Sequence, residues 1–283
     1  DEKMYDVIVI GSGPSGITAA IYAKRRNLST LVISKGNGSL EKAEKIDNYY
    51  GFANGISGKK LYENGLNQAV NLGVEIVQDE VINIEYKDCF TIETINSKYN
   101  ARSVILATGT NRNIPNIKGI KEFEGKGVSY CAICDSFFYK EKDVAVLGEG
   151  NYAIHEFETL KPVVNSVTIF TNGNRIIENR SNGLKVNDKK IREFRGNGKL
   201  EEVEFEDNTK QKISGVFVAV GTASSTDIAR KIGARIENNN IVVNENMETT
   251  VPGLFACGDC TGGLLQISKA IYEGTKAGLA VLK

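Results

Sequence analysis

A glycine-rich turn near the start of the chain limits the fold more strongly than any other feature. Residues 5–10 form a short apolar run, and Gly11-Ser-Gly-Pro-Ser-Gly16 follows it at once. Residues 17–26 have the composition of a helix, and residues 30–33 read as a second strand. A strand, Gly-x-Gly-x-x-Gly, a helix and a second strand make up the β-α-β unit of dinucleotide-binding domains. The sequence therefore predicts an α/β domain with a nucleotide-binding turn.

Each glycine of this turn has a predicted role. Gly11 permits the tight turn, Gly13 lets the backbone approach a pyrophosphate, and Gly16 allows the helix to pack closely on the strand. The N–H groups at the start of the helix would then bind the anion. The acidic residue that usually follows the second strand is absent, because Ser34-Lys35 occupy its place. This absence counts against a standard NAD site, but it leaves a flavin site open.

The same order of elements recurs in the middle of the chain in a degraded form. After a predicted strand at residues 143–147 comes Gly148-Glu-Gly-Asn-Tyr-Ala153, which opens a helix. Glu149 places a negative charge where a pyrophosphate would approach, and Pro162 interrupts the helix. Beyond the next strand stands Arg175, whereas an NADPH site needs two or more basic residues for the 2′-phosphate. We therefore expect a nucleotide-domain fold that no longer binds a nucleotide.

The ends of later strands indicate that one fold has been duplicated. Residues 103–109 and residues 216–222 both form an apolar strand that ends at a glycine beside a threonine. Residues 251–259 predict a last strand that ends in Gly-Asp, and a helix at about residues 266–282 should pack back on the first unit. Strands of a small antiparallel layer are predicted at residues 74–77, 81–86 and 89–95.

Two cysteines two residues apart, Cys131 and Cys134, are candidates for redox or metal chemistry, and Asp135 follows them. Thiols at this spacing either close a disulfide that two electrons reopen or provide half of a zinc site. A second pair, Cys257 and Cys260, would be needed to complete a four-thiolate zinc site. From the spacing alone both interpretations stay open.

The charge balance and the cysteine count exclude several classes of function. Lysine plus arginine and aspartate plus glutamate both number 35, so the total charge does not point to a nucleic-acid or membrane-surface partner. No apolar run approaches the roughly 18 residues of a membrane span, and the charged start of the chain lacks the layout of a signal peptide. Five cysteines do not form a secreted disulfide framework. We expect a cytoplasmic protein, whose single histidine, His155, excludes catalysis by a histidine network.

Five motifs in a fixed order give the chain a specific resemblance to a known family. They are Gly11-Ser-Gly-Pro-Ser-Gly16, Ala107-Thr-Gly109, Gly127-Val-Ser-Tyr-Cys-Ala-Ile-Cys-Asp-Ser-Phe-Phe-Tyr139, Gly215-Val-Phe-Val-Ala-Val-Gly221 and Pro252-Gly-Leu-Phe-Ala-Cys-Gly-Asp259. On these motifs the chain resembles the low-molecular-weight thioredoxin reductases, flavoproteins with two dinucleotide-binding domains. The resemblance extends over essentially the whole chain.

The resemblance implies a fold class and a division of the chain. The fold would be α/β with two dinucleotide-binding, Rossmann-like domains of the three-layer ββα type, the second inserted in the first. Residues 1–114 and 224–283 would form the FAD-binding domain, and residues 115–223 would form the inserted domain with the redox disulfide. A homodimer is also implied.

The resemblance further implies roles for individual residues. Cys131 and Cys134 would form the redox-active disulfide, with the Cys134 sulfur nearer the flavin and Cys131 attacking the substrate. Asp135 would protonate the leaving thiolate, and no metal is implied. The residues implied to bind FAD are Gly11, Ser12, Gly13, Pro14, Ser15, Gly16, Asn48, Val81, Gly109, Gly258, Asp259, Gln266 and Ile267.

Departures from the family pattern concern the electron donor. Besides Glu149, the run Phe170-Thr-Asn-Gly-Asn174 replaces the family's His-Arg-Arg sequence. The ferredoxin-dependent flavin thioredoxin reductases of anaerobic bacteria lack the NADPH motifs in the same way, and the chain resembles them. The resemblance thus implies thioredoxin as substrate and reduced ferredoxin as donor. Two alternatives stay open: an NAD(P)H-dependent reductase with an altered motif, and a flavin-bearing redox sensor or binding protein without turnover.

Overall fold

The computed structural model describes residues 3–36, 38–109, 114–176 and 183–283 of the chain. Within these ranges the secondary structure consists of strands and α-helices joined in part by short 3₁₀ turns. The strands are β1 (Met4–Ile10), β2 (Thr30–Ser34), β3 (Glu75–Gln78), β4 (Val81–Tyr86), β5 (Phe90–Thr94), β6 (Lys98–Leu106), β7 (Val128–Ser129), β8 (Asp143–Leu147), β9 (Ser166–Phe170), β10 (Val186–Asn187), β11 (Ile191–Arg195), β12 (Glu202–Phe205), β13 (Lys210–Lys212), β14 (Gly215–Val218), β15 (Ile236–Glu237), β16 (Asn240–Ile241) and β17 (Leu254–Ala256). The helices are α1 (Pro14–Arg25), α2 (Gly58–Asn71), α3 (Ala132–Asp135), α4 (Asn151–Leu160), α5 (Ser225–Lys231) and α6 (Ile267–Ala280).

The chain divides into two compact units. Asp1–Asn111 and Ser224–Lys283 form unit 1, and Arg112–Ala223 form unit 2. Both units contain a sheet of parallel strands with helices in the connections. The predicted α/β class is therefore confirmed.

The sheet of unit 1 is parallel in its centre and antiparallel at one end. Its strands follow the order β3-β2-β1-β6-β5-β4, and β17 pairs with the second half of β6. β4, β5 and the first half of β6 are antiparallel, as the sequence predicts for residues 81–86 and 89–95. The prediction of an antiparallel strand at residues 74–77 is wrong, because α2 carries the chain across the sheet and β3 returns parallel to β2.

Two helices of unit 1 pack so closely that glycine is required between them. A Cβ atom at Gly274 of α6 would lie 2.3 Å from the carbonyl oxygen of Ser15 in α1, and one at Gly278 would lie 2.5 Å from that of Ala19. Both distances are shorter than any van der Waals contact. The predicted C-terminal helix therefore exists and packs back on the glycine turn of the first β-α-β unit.

Unit 2 repeats this architecture on a smaller scale. Its parallel sheet has the order β10-β9-β8-β14-β7, and a separate antiparallel layer has the order β11-β12-β13. Phe170 of β9 and Phe205 of β12 meet edge to face with ring centres 5.5 Å apart, and both are buried. The core of the unit thus lies between the two layers. α4 ends at Leu160, two residues before Pro162, as expected from the missing N–H of proline.

Across the described ranges, no helix combines the length and the apolar character that a membrane span requires.

Candidate functional site

The glycine turn of unit 1 is tight at two positions and open at one. A Cβ atom at Gly11, where φ is +111°, would lie 2.2 Å from the carbonyl oxygen of Ala107, and one at Gly16 would lie 2.1 Å from that of Gly11. At Gly13 the space where a Cβ would sit has no described atom within 4 Å. Gly13 is also the N-cap of α1, whose first turn, starting at Pro14, contains no acidic residue. The turn therefore offers an accessible helix N-terminus that fits a pyrophosphate.

Hydrogen bonds of Ser12 connect this turn to the neighbouring strand. Ser12 is buried, and its Oγ lies 2.7 Å from Ser34 Oγ and 2.9 Å from the hydroxyl of Tyr62. Beside Ser34, the ammonium of Lys35 lies 3.0 Å from the buried carboxylate of Glu80. An acid is therefore present near the end of β2, although it comes from the segment before β4.

A second loop, after β17, lies against α1 and is fixed by α6. A Cβ at Gly258, where φ is +87°, would lie 2.5 Å from Ser15 Oγ. Gly258 N donates to Glu273 Oε2 at 2.7 Å, and Lys269 Nζ donates to the carbonyl oxygens of Gly258 at 2.8 Å and Gly262 at 2.6 Å. Burial raises the pKa of Asp259, the next residue. The sequence did not identify Lys269 and Glu273, although their i, i+4 spacing on a helix predicted to pack back was a signal.

The remaining predicted flavin contacts are only partly brought together. Asn48 Nδ2 donates to Gln266 Oε1 at 3.2 Å, which joins two predicted contacts that are 218 positions apart. Ile267 opens α6 directly after Gln266. Val81 is buried at the start of β4, and Gly109 follows β6 with φ of +84°. All predicted FAD contacts lie in unit 1, and the open turn at Gly13 fits the diphosphate part of that cofactor.

The redox pair of unit 2 lies at the start of a one-turn helix. Cys131 and Cys134 are joined as a disulfide. Cys131 is the N-cap of α3, and its Sγ accepts a hydrogen bond from Cys134 N at 3.3 Å. The two sulfur-bearing residues differ in accessibility, since Cys131 is 1% exposed whereas Cys134 is exposed.

Asp135 is linked to the pair through a serine. Ser129 Oγ donates to Asp135 Oδ2 at 2.6 Å and accepts from Cys131 N at 3.2 Å. Burial, followed by the negative charge of the same carboxylate, raises the pKa of Tyr139. The predicted catalytic residues Cys131, Cys134 and Asp135 are thus in one hydrogen-bonded turn.

Two features next to the pair were not identified from the sequence. Three large apolar side chains are exposed around the turn: Ile133 at 56%, Phe137 at 78% and Phe138 at 68%. We call these three residues the apolar patch. Glu156 of α4 is only 2% exposed and accepts a hydrogen bond from Ala132 N at 2.9 Å. In the sequence this glutamate belongs to the run His155-Glu-Phe-Glu158, which carries no signal of a contact with the cysteine turn.

Comparisons with known proteins agree with this geometry. The matching family model is described as pyridine nucleotide-disulphide oxidoreductase and spans residues 5–274. The thioredoxin reductase of Aquifex aeolicus is 35% identical over an alignment of 308 residues, covering 100% of this chain and 94% of that protein. The atypical thioredoxin reductase TRi from Desulfovibrio vulgaris Hildenborough is 37% identical with a TM-score of 0.92, covering 97% of this chain and 95% of the other. A ferredoxin-flavin thioredoxin reductase from Clostridium acetobutylicum is 33% identical with a TM-score of 0.72, covering 99% and 97%.

The chain belongs to the thioredoxin reductase family. It is therefore a flavin-dependent disulfide oxidoreductase, and its cofactor is FAD. The open glycine turn of unit 1 and the disulfide of unit 2 are the two features that this membership requires.

The second cysteine pair of this thioredoxin reductase has the same spacing as the first but differs in bonding and in exposure. Cys257 and Cys260 are free thiols with no exposed surface. Burial, followed by the neighbouring thiol, raises the pKa of Cys257 well above its ordinary value, and burial raises that of Cys260 to about 12. Such thiols are unreactive at neutral pH. Within the ranges that the structure describes, no group of three or more His, Cys, Asp or Glu side chains is arranged to hold a metal ion.

The glycine turn of unit 2 keeps the backbone frame of the first turn. A Cβ at Gly148 would lie 2.2 Å from the carbonyl oxygen of Ala219, which repeats the Gly11 and Ala107 contact. Glu149 follows, half-buried, and Gly150 caps α4. The frame of a nucleotide-binding turn is thus retained with a carboxylate in it.

Proposed function

We propose that this chain reduces the disulfide of thioredoxin with electrons from reduced ferredoxin rather than from NADPH. The choice of donor rests on the hydrogen bonds that the chain makes directly after β9. There Thr171 N donates to Asn187 O at 3.2 Å, and Gly173 N donates to Asp188 O at 2.9 Å. The chain's own backbone therefore occupies part of the region in which an NADPH site would place basic residues for the 2′-phosphate.

A side chain closes the same region further. Asn172 Oδ1 accepts a hydrogen bond from Ile191 N at 2.8 Å, which ties the end of β9 to the start of β11. Together with Glu149 in the glycine turn, this contact alters both regions in which NADPH would bind its anionic groups in unit 2. These contacts support a donor that does not bind there.

Ferredoxin is a suitable donor because it transfers one electron at a time, and a flavin can accept single electrons. A bound flavin accepts single electrons and passes on a pair, so no hydride donor is required. Of the five cysteines, two form the disulfide, and three are too few for a four-cysteine iron–sulfur cluster. A cluster would therefore have to belong to another protein.

We assign the two halves of the reaction to the two parts of the chain. Residues 1–114 and 224–283 are proposed as the FAD domain, because the open glycine turn, the Gly258 loop and the Asn48–Gln266 pair all lie in unit 1. Residues 115–223 are proposed as the inserted domain that carries the disulfide. We further propose a homodimer in the cytoplasm.

The thiol chemistry follows from the geometry of the turn. Two electrons and two protons convert the Cys131–Cys134 disulfide into two thiols. The Cys131 thiolate, stabilised by the N–H of Cys134 at 3.3 Å, then attacks one sulfur of the substrate disulfide while the other sulfur leaves as a thiolate. Cys134 next attacks Cys131 Sγ, which restores the disulfide and releases the reduced substrate.

The proton for the leaving thiolate is proposed to come from Asp135. Its carboxyl group is held beside the pair by Ser129, 2.6 Å from Oδ2. The apolar patch of Ile133, Phe137 and Phe138 surrounds the same turn and is more exposed than large apolar side chains usually are. This surface supports a protein substrate, such as thioredoxin, rather than a small disulfide.

The donor is tested by anaerobic titration of the oxidised flavoprotein with reduced ferredoxin, NADPH and NADH in separate experiments. Loss of flavin absorbance and the appearance of thioredoxin thiols are followed together. We expect both to occur within seconds with ferredoxin and to be at least about 100-fold slower with either nucleotide. Rapid bleaching by NADPH would instead establish a nucleotide-dependent reductase.

The roles of the two cysteines are tested by trapping. Cys134→Ser should accumulate a mixed disulfide between Cys131 and thioredoxin, whereas Cys131→Ser should not. Cys131 is buried and Cys134 exposed in this structure, so the opposite result would assign the attack to Cys134. Absence of thioredoxin reduction by the native protein with every electron donor would favour a redox sensor or binding protein without turnover.

A further inference from the structure

A buried carboxylate of α4 contacts the turn that carries the disulfide. Glu156 is 2% exposed, and its Oε2 accepts a hydrogen bond from Ala132 N at 2.9 Å. Ala132 is the first residue of α3 and follows Cys131 directly. The helix that begins at the degenerate glycine turn therefore supports the redox turn.

This contact brings a negative charge close to the sulfur of Cys131. Four covalent bonds separate Ala132 N from Cys131 Sγ, so the carboxylate lies within about 8 Å of that sulfur. In a buried site, one negative charge at this distance disfavours a second. Glu156 also takes the Ala132 N–H group, one of the helix N-terminal donors that would otherwise stabilise a thiolate.

The effect of the Glu156 charge on the redox equilibrium depends on which form of the pair it destabilises, the disulfide or the thiolate of the reduced pair. A dithiol whose thiolate is strongly stabilised makes its disulfide a strong oxidant. A neighbouring carboxylate acts in the opposite direction and makes the dithiol a stronger reductant. A reductase benefits from the second arrangement, because its dithiol must pass electrons on.

We propose that Glu156 is a positioning residue of the redox turn, which holds Ala132 in place and, through its charge, keeps the Cys131–Cys134 dithiol strongly reducing. The inference rests on the proposed function only in requiring that this pair cycles between disulfide and dithiol. It depends on neither the electron donor nor the substrate.

Other ionisable groups lie on the elements that carry the pair and Glu156. Asp135 belongs to α3 itself, and Tyr139 belongs to the 3₁₀ turn Ser136–Tyr139 that follows it. His155 precedes Glu156 on α4. All three are present in the native protein and in the variant alike, so the comparison between the two proteins isolates the replacement of Glu156.

The test replaces the charge and retains the acceptor, by the substitution Glu156→Gln. Flavin-loaded native and variant proteins are equilibrated with mixtures of oxidised and reduced dithiothreitol at pH 9 and at pH 6. The redox state of the Cys131–Cys134 peptide is then read by alkylation and mass spectrometry, which requires no turnover. At pH 9 we expect the equilibrium constant to shift about tenfold toward the dithiol, which is ~30 mV for a two-electron couple. At pH 6, well below the ordinary pKa of a cysteine thiol, the shift should be much smaller.

Two further variants separate charge from packing. Glu158→Gln removes an exposed carboxylate from the same helix and should shift the equilibrium at neither pH. Glu156→Asp keeps the charge but withdraws it from Ala132, so a smaller shift in the same direction is expected at pH 9.

Three results would overturn the proposal. They are no shift at pH 9 in Glu156→Gln, an equal shift at both pH values, and an equally large shift in Glu158→Gln. If Glu156→Gln does not fold, Glu156→Asp decides in the same way, and no shift at pH 9 contradicts the role. If the native pair fails to cycle at all, the proposed function itself is wrong.

Discussion

The two units of this chain contain the same two motifs in opposite states. Each has one glycine turn and one Cys-x-x-Cys pair. In unit 1 the turn is open at Gly13, while Cys257 and Cys260 are buried thiols. In unit 2 the cysteines form a disulfide with one exposed member, while the glycine turn carries Glu149. A motif's spacing therefore does not by itself determine its chemistry.

What the two turns share is the backbone contact, and what they do not share is the space around it. Gly11 and Gly148 each approach a carbonyl oxygen so closely that a Cβ would lie 2.2 Å from it. That contact is required by the packing of strand, turn and helix, with or without a ligand. The capacity to bind an anion depends on the residue after the first glycine and on what occupies the end of the next strand.

The largest difference between the units should be found in thiol reactivity. At pH 9, a thiol with a pKa of about 12 is about 500-fold less ionised than one with the ordinary value of 9.0. After reduction of the disulfide, iodoacetamide should therefore label the exposed Cys134 at least about 100 times faster than the buried Cys260. A time course of alkylation read by mass spectrometry measures both rates in one sample.

The same pKa shift has a consequence for stability. Because burial raises the pKa of Cys260 in the folded state, its contribution to stability is fully present below pH 9 and is lost as the pH rises from 9 to 12. The urea concentration at the midpoint of unfolding should therefore fall across that pH range.

The control for the labelling prediction is protein unfolded in guanidinium chloride, in which all five cysteines should react with iodoacetamide at similar rates. Equal labelling of Cys260 and Cys134 in the native protein would contradict the difference between the pairs.

The next largest effect should come from giving the first turn the charge of the second. Ser12 aligns with Glu149, so Ser12→Glu would place a carboxylate beside the bound pyrophosphate. Two unit charges 4–5 Å apart at an effective dielectric constant of 20 repel by about 3–4 kcal/mol, so FAD affinity should fall at least about 100-fold. The dissociation constant is measured from flavin fluorescence on titrating apoprotein with FAD.

Ser12→Ala is the matched control for this change. It removes the hydrogen bonds to Ser34 and Tyr62, which contribute about 1 kcal/mol each to stability, but it adds no charge. FAD affinity should change by less than about fivefold. If Ser12→Glu binds FAD as tightly as Ser12→Ala, a charge at this position is not what disables the second turn.

Much of the fold was predictable because glycines mark the ends of short apolar runs. β1, β2 and β8 lie within one residue of their predicted limits for this reason. β3 was not predictable in direction, since residues 74–77 carry a strand pattern that is the same for parallel and antiparallel pairing. Only the crossover through α2 decides it.

The candidate site was predictable in its motifs but not in its supports. The disulfide spacing and the glycines are visible in the sequence, because each imposes a fixed local geometry. Lys269, Glu273 and Glu156 have the appearance of solvated charges, and their roles depend on which backbone groups they meet in the folded chain. The exposure of Cys134 rather than Cys131 likewise depends on tertiary packing alone.

The smallest effect is expected from the reverse substitution, Glu149→Gly in unit 2. It restores a glycine-only turn, but it leaves Thr171 N and Gly173 N bonded to the carbonyl oxygens of Asn187 and Asp188. NADPH would gain a place for its pyrophosphate, while the backbone contacts at the end of β9 would stay as they are. The rate of flavin bleaching by NADPH should therefore stay within about threefold of the native rate, as measured by anaerobic stopped-flow absorbance.

The outcome for NADH sharpens this prediction, because NADH has no 2′-phosphate. If the end of β9 obstructs only the 2′-phosphate, Glu149→Gly should accelerate flavin bleaching by NADH more than flavin bleaching by NADPH. If the closed backbone excludes the adenosine ribose as well, neither nucleotide should gain. A large gain with NADPH alone would contradict both possibilities and would leave Glu149 as the single feature that separates the second turn from a working nucleotide site.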